Sequence, residues 1–177
     1  PRPDMPPVNE LVKRHQKLHL RYLLQHLRDD GTFFSSYQPF HNRIFEGNDP
    51  ARQAHGAWVL ARAHKAVGGD ELKNAAGKVI DALLANTAQE SVAETSFLLL
   101  ALSNLDRDDP RRSSIKDLAA TLWQRITPHG RIVTHNTGDD PSLDAYQDYF
   151  PGQVLLALAV ACEQDASTID EERLRRS

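Results

Sequence analysis

The sequence predicts an all-α fold, an array of helical hairpins with short extended excursions near 32–37 and 131–135. One pattern recurs three times: a small residue, three more residues, then Leu-Ala inside an apolar run. It reads GAWVLA at 56–61, SFLLLA at 96–101 and GQVLLA at 152–157. A helical pair that cannot bury its own apolar face stacks on its neighbours, so the repeat implies stacked pairs. Helix-start signals are the second observation. Asp49-Pro50 and Asp109-Pro110 pair an N-cap residue with proline at the first helical position, and Ser91-x-x-Glu94 is a capping box.

The Pro-rich stretch 1–7 lacks helix-forming N–H groups and reads as an arm or linker before a single helical domain over 8–177. The first helix covers 8–27, where Leu11, Val12, Leu18, Tyr22, Leu23 and Leu27 recur at roughly helical period. Asp29-Asp30-Gly31 ends it. The aromatic, non-periodic run 32–37 reads as an extended piece and 38–48 as a long loop. A second helix runs from Asp49-Pro50 to about Val67 and stops at Gly68-Gly69. Asp70 caps the third, which ends near Ala85. The fourth spans about 91–105, and the fifth starts at Pro110 and ends before Pro128. Residues 130–135 mirror 31–37 as a second extended piece, and 136–142 form a polar loop. The sixth helix covers about 152–163, and 167–175 opens a seventh. Gly56 and Ser96 are 40 residues apart, Ser96 and Gly152 are 56 apart, and the excursion at 130–149 takes up the difference.

Composition narrows the function classes. The chain has 177 residues, 40% apolar and 25% charged, which is globular composition and enough for one domain with a real core. A net charge of −3 speaks against nucleic-acid and anionic-membrane partners, which call for a basic footprint. The lone Cys162 sits in an apolar run and reads as a small core residue, with no intrachain disulfide to form. No apolar run approaches the ~20 residues of a membrane span, and no signal peptide is visible. Pro1 in place of Met implies a chain cut from a longer one, with the cytoplasm as the default compartment.

Three entrances to the repeated helices carry a resemblance. Asp30-Gly31-Thr32-Phe33, Arg52-Gln53-Ala54-His55-Gly56 and Tyr149-Phe150-Pro151-Gly152-Gln153 resemble the α/α-toroid (six-hairpin glycosidase-like) superfamily of glycoside hydrolases, polysaccharide lyases and N-acyl-sugar epimerases. The resemblance covers about residues 30–165. It implies a module of a larger, bacterial-type protein, carbohydrate-binding or carbohydrate-active through a cleft where loops enter the inner helices. The chain departs from the pattern in two ways. It holds about half of the ring's helices, and Gln153 stands where an acid often follows Pro-Gly.

That cleft would gather Tyr37, Arg52, Gln53, His55, Glu94, Asp144, Tyr146, Asp148, Tyr149 and Gln153. Glycosidic cleavage needs two carboxylates flanking the scissile bond. Glu94, Asp144 and Asp148 are the candidates, the last two sharing a face if that segment is helical. Ordinary readings stand beside these: Glu94 as a capping residue and Asp144 as a solvated first-turn acid. Arg52 and Gln53 offer donors to a ligand hydroxyl or carboxylate, or Arg52 pairs with Asp49 or Glu46. His55 is either a general base or a packed ring. Tyr37, Tyr146 and Tyr149 can stack on a sugar, whereas Trp58, Trp123 and Phe97 read as core. His15 and His19 lack the intervening Glu of a zinc helix, and no metal or cofactor is expected. The alternative function is a non-catalytic helical-repeat module for interaction or dimerisation. The expected partners are a saccharide or small ligand, and a second copy or the rest of a longer chain.

Overall fold

The computed structural model describes residues 7–34, 36–41, 43–45, 49–86, 91–134 and 150–168. Among them six helices build an all-α fold: α1 Val8–His26, α2 Pro50–Val67, α3 Asp70–Ala85, α4 Val92–Ser103, α5 Ile115–Gln124 and α6 Pro151–Gln164. Asp49 caps α2 by accepting from the Arg52 N–H at 3.3 Å, and Ser91 caps α4 by accepting from the Ala93 N–H at 3.2 Å. Gly69, not Asp70, is the N-cap of α3, and Asp70 lies inside the first turn, where its charge suits the helix dipole. The start expected at Pro110 is a 3-10 turn, Pro110–Ser114, before α5 begins. Of the seventh helix expected over 167–175, the described residues include only a 3-10 turn, Ala166–Thr168. The remainder of that helix and the loop at 136–142 lie outside the described residues.

Both extended excursions are present. Phe33 bridges Leu27 and Ile132 bridges Ile126, each across a turn that follows a helix. The two turns match: the Arg28 N–H donates to Thr32 O and the Thr127 N–H to Arg131 O, with Gly31 and Gly130 at positive φ. The span read as a long loop holds a strand instead. β1 Ser36–Gln38 pairs antiparallel with β2 Arg43–Phe45, with Tyr37 opposite Ile44.

The helices form two layers. α4 lies between α2 and α6, α3 packs on α2, and α5 packs on α4. Two contacts along α2 and α4, and one at the ends of the packed pair α4 and α6, give the directions. His55 near the start of α2 meets Phe97 near the start of α4. At the far ends, the Gln164 amide of α6 donates to Ser103 O of α4 at 2.6 Å, and His64 of α2 faces Asp106 just past α4. The inner helices α2, α4 and α6 therefore run parallel. Alanines line the row, with Ala54, Ala57, Ala61, Ala101, Ala157 and Ala161 all fully buried. Arg111 ties the lead-in of α5 to α3, its outer neighbour, by a forked pair to Asp81 at 2.6 and 2.8 Å, and it also bonds Asp109. Gly77 makes room for it, since a Cβ there would meet the guanidinium at 2.9 Å.

Gly31 is the tightest point between α1 and α3. Its φ is +83°, and a Cβ would lie 2.6 Å from Lys78 O. Gly31→Ala is expected to cost about 2–4 kcal/mol in urea unfolding, through left-handed strain and overpacking together. Gly68→Ala, at φ +75° with nothing near its Cβ, is expected to cost only about 1–2 kcal/mol.

Candidate functional site

Parallel inner helices bring three starts to one end of the row. Arg52, Glu94 and Gln153 are each the third residue of their helix, in α2, α4 and α6. Three residues that look unrelated in the sequence thus occupy equivalent places at one mouth. Glu94 is 1% exposed, and the neighbouring Thr95 and Ser96 are buried as well. Among the described residues, Ser96 Oγ and Gln153 Oε1 are buried without a hydrogen bond. Buried polar atoms ordinarily find a partner, so this end of the row has unspent hydrogen-bonding capacity. Arg52 is exposed and pairs with Asp49 across its own cap, Nε to Oδ2, at 3.0 Å.

One turn further in, an aromatic cluster spans α2 and α4. The Trp58 and Phe97 rings stack at 5.7 Å with 29° between planes, and His55 lies 4.8 Å from Phe97 and 5.8 Å from Trp58. Arg62 stands over Trp58, its guanidinium carbon 5.8 Å from the ring centroid. His55 and Arg62 are exposed, and the two aromatic rings are half-buried. Although solvent reaches His55, partial desolvation beside the Trp58 and Phe97 rings holds its imidazole below the ordinary histidine value. The sequence reading assigned Trp58 and Phe97 to the core. The spacing of His55, Trp58 and Arg62, at i, i+3 and i+7, was the signal that they share a helix face.

Gln53 has a different task from the one expected. Its Oε1 accepts from the Phe33 N–H at 2.6 Å and its Nε2 donates to Phe33 O at 2.9 Å. The amide is spent on holding the extended segment 32–34 against α2, so Gln53 is corrected from ligand donor to structural pin. Tyr37 lies in β1, away from the helix starts in sequence. Asp144, Tyr146, Asp148 and Tyr149 lie outside the described residues. Cys162 is half-buried in α6.

A cavity of about 870 Å³ lies at the opposite end of the row. Its polar groups close a helix end. Arg112 donates to Leu102 O, Leu105 O and Gln164 Oε1, and Gln164 donates on to Ser103 O. These bonds satisfy the last carbonyls of α4, the ordinary need of a helix C-terminus. The helix starts are therefore the better candidate site. Among the described residues, no group of three or more His, Cys, Asp or Glu side chains is placed to hold a metal ion. No helix among them is long and apolar enough to cross a membrane. No family model, curated protein or solved structure matches this chain.

Two tests follow from this geometry. Gln53→Leu leaves the Phe33 N–H and C=O without their side-chain partner, and is expected to cost about 2–4 kcal/mol. Hydrogen exchange at the Phe33 amide should quicken in the variant. The lowered His55 value means the folded chain binds fewer protons than the unfolded one at and below the unfolded value near 6.5. Stability from this group is present above that pH and lost as pH falls through the unfolded value toward the folded one. The urea midpoint should fall less between pH 7 and pH 5 in His55→Leu than in the wild type. The difference should be modest, because the ring stays partly in water.

Proposed function

We propose that the chain is a toroid-like helical module, about half a ring, that binds a saccharide at the starts of its inner helices. The observation that carries this reading is the half-buried Trp58–Phe97 pair, flanked by His55 and Arg62, beside the buried Glu94 and the unsatisfied Gln153 amide oxygen. A sugar presents an apolar face that an aromatic ring covers and hydroxyls that a carboxylate and an amide bind. The alternation of inner α2, α4 and α6 with outer α3 and α5 supports the toroid-like architecture. Under this reading Glu94 is the first candidate acid, and Asp144 or Asp148 would supply the second carboxylate of a hydrolytic pair.

A second reading, an interaction or dimerisation module, is favoured by one observation. Leu155 and Leu156 of α6 are 57% and 47% exposed at the edge of the row, where a further hairpin or a second copy would cover them.

Thermal-shift screening against mono- and oligosaccharides, beside light scattering, separates the two. The sugar reading expects a monomer whose melting temperature rises with one sugar class. Ligand at a hundredfold over Kd contributes about 2.7 kcal/mol. Trp58→Ala should abolish that rise while the chain stays folded. A dimer that Leu156→Glu dissociates, with no response to any sugar, would replace the sugar reading with the second one.

A further inference from the structure

Helix α1 is joined to the rest of the fold by one side only. Leu20, Leu23, Leu24 and Leu27 pack on the core, all in or just past its second half, and no residue of α1 itself is buried. Its opposite side is a second apolar stripe. Val8, Leu11, His15, Leu18 and Tyr22 follow one another at spacings of three and four residues, an a-d-a-d-a series through two heptads and the start of a third, with His15 its polar member and Gln25 at the next d. Val8, Leu18 and Tyr22 are 74%, 52% and 50% exposed, and Val12 beside them 48%. Isolated exposed apolar residues are ordinary, but a stripe along about four turns of one helix face, interrupted only by His15, is not.

The flanks of the stripe indicate what would cover it. Arg14 and Arg21 occupy the g positions, and Val12, His19 and His26 the e positions. The helix carries Lys13, Arg14, Lys17 and Arg21 against a single acid, Glu10, at position c one turn before Arg14. Charges at e and g set partner choice in paired helices. A second copy of α1 would set each arginine against another arginine if antiparallel, or against a histidine if parallel, with no acid on either flank. An acidic helix would instead pair with both arginines.

We infer that the outer stripe of α1 is a docking surface for an acidic amphipathic helix of a partner protein, seated along Leu11, Leu18 and Tyr22 and held in register by Arg14 and Arg21. The surface is separate from the helix starts of the inner row and does not depend on the sugar reading. Its binding mode is that of one helix laid on the apolar face of another.

The test uses the full chain and two labelled synthetic helices of about three heptads, both with leucine at a and d, one with glutamate and one with lysine at e and g. Fluorescence anisotropy should show the acidic helix binding about tenfold or more tighter than the basic one, and the gap should narrow as salt rises. Leu18→Glu should abolish binding without changing the melting temperature. The double charge reversal Arg14→Glu, Arg21→Glu should transfer preference to the basic helix, an exchange that a general loss of structure cannot produce. Equal binding of both helices would overturn the proposal. So would an α1-dependent dimer in light scattering, or binding to phosphatidylglycerol vesicles in place of either helix.

Discussion

Helix α4 is buried on nearly every side, and the rest of the molecule is arranged to surround it. Eleven of its twelve residues are buried, with only Phe97 reaching partly to solvent. A helix of this kind is stable only when enclosed, because no face of it suits water. The enclosure comes from α2 on one side, α6 on the other, and the outer helices α3 and α5. Leu98, Leu99, Leu100 and Leu102 are essentially inaccessible, and at roughly 1.5–3 kcal/mol for each buried leucine they dominate the local balance. The small residues of the neighbours let helices approach closely enough to exclude water on all sides.

Enclosing one helix with parallel neighbours has an electrostatic consequence. Three dipoles point the same way, so partial positive charge collects at the starts and partial negative charge at the ends. The ends are answered by hydrogen-bond donors, one of them a cation. Arg112 binds two carbonyls past the middle of the last α4 turn, and the Gln164 amide binds a third. Lys73 at 2.6 Å holds the Asp106 carboxyl below its ordinary range, fixing the segment just beyond α4 to α3. The starts are answered by Asp49 on α2 and by the buried Glu94 on α4. The same field favours hydrogen-bond acceptors at that end of the row.

Much of the architecture was legible in the sequence because its punctuation is local. Asp49-Pro50, Gly68-Gly69 and Ser91 mark helix ends through bonds within three or four residues, and those ends fall where they were expected. What was illegible depends on distant partners. Gln53 and Phe33 are twenty residues apart, and nothing near either residue reveals their paired bonds. Trp58 and Phe97 come from different helices, so their stack follows only from the parallel row. The common level of Arg52, Glu94 and Gln153 likewise needs the helix starts and directions, not the residues alone. The hairpin of β1 and β2 escaped because three-residue strands carry no periodicity to read.

The Leu-Ala repeat also has more than one physical meaning. At Gly56 the small residue is compelled, since a Cβ would lie 2.6 Å from the Phe33 ring. At Ser96 the side chain is wholly buried in the row, and at Gly152 a Cβ would meet nothing within 4 Å. The following leucine changes in the same order: Leu60 and Leu100 are enclosed, whereas Leu156 is about half exposed. The third copy is apolar in sequence but lacks the neighbour that the first two possess. Repeat arrays bury each unit against the next, and the third copy departs from that rule where the first two obey it. The Gly56–Phe33–Gln53 knot acts at the other end of the row. It pins the extended segment to the first two turns of α2, the stretch that also carries His55 at the candidate site.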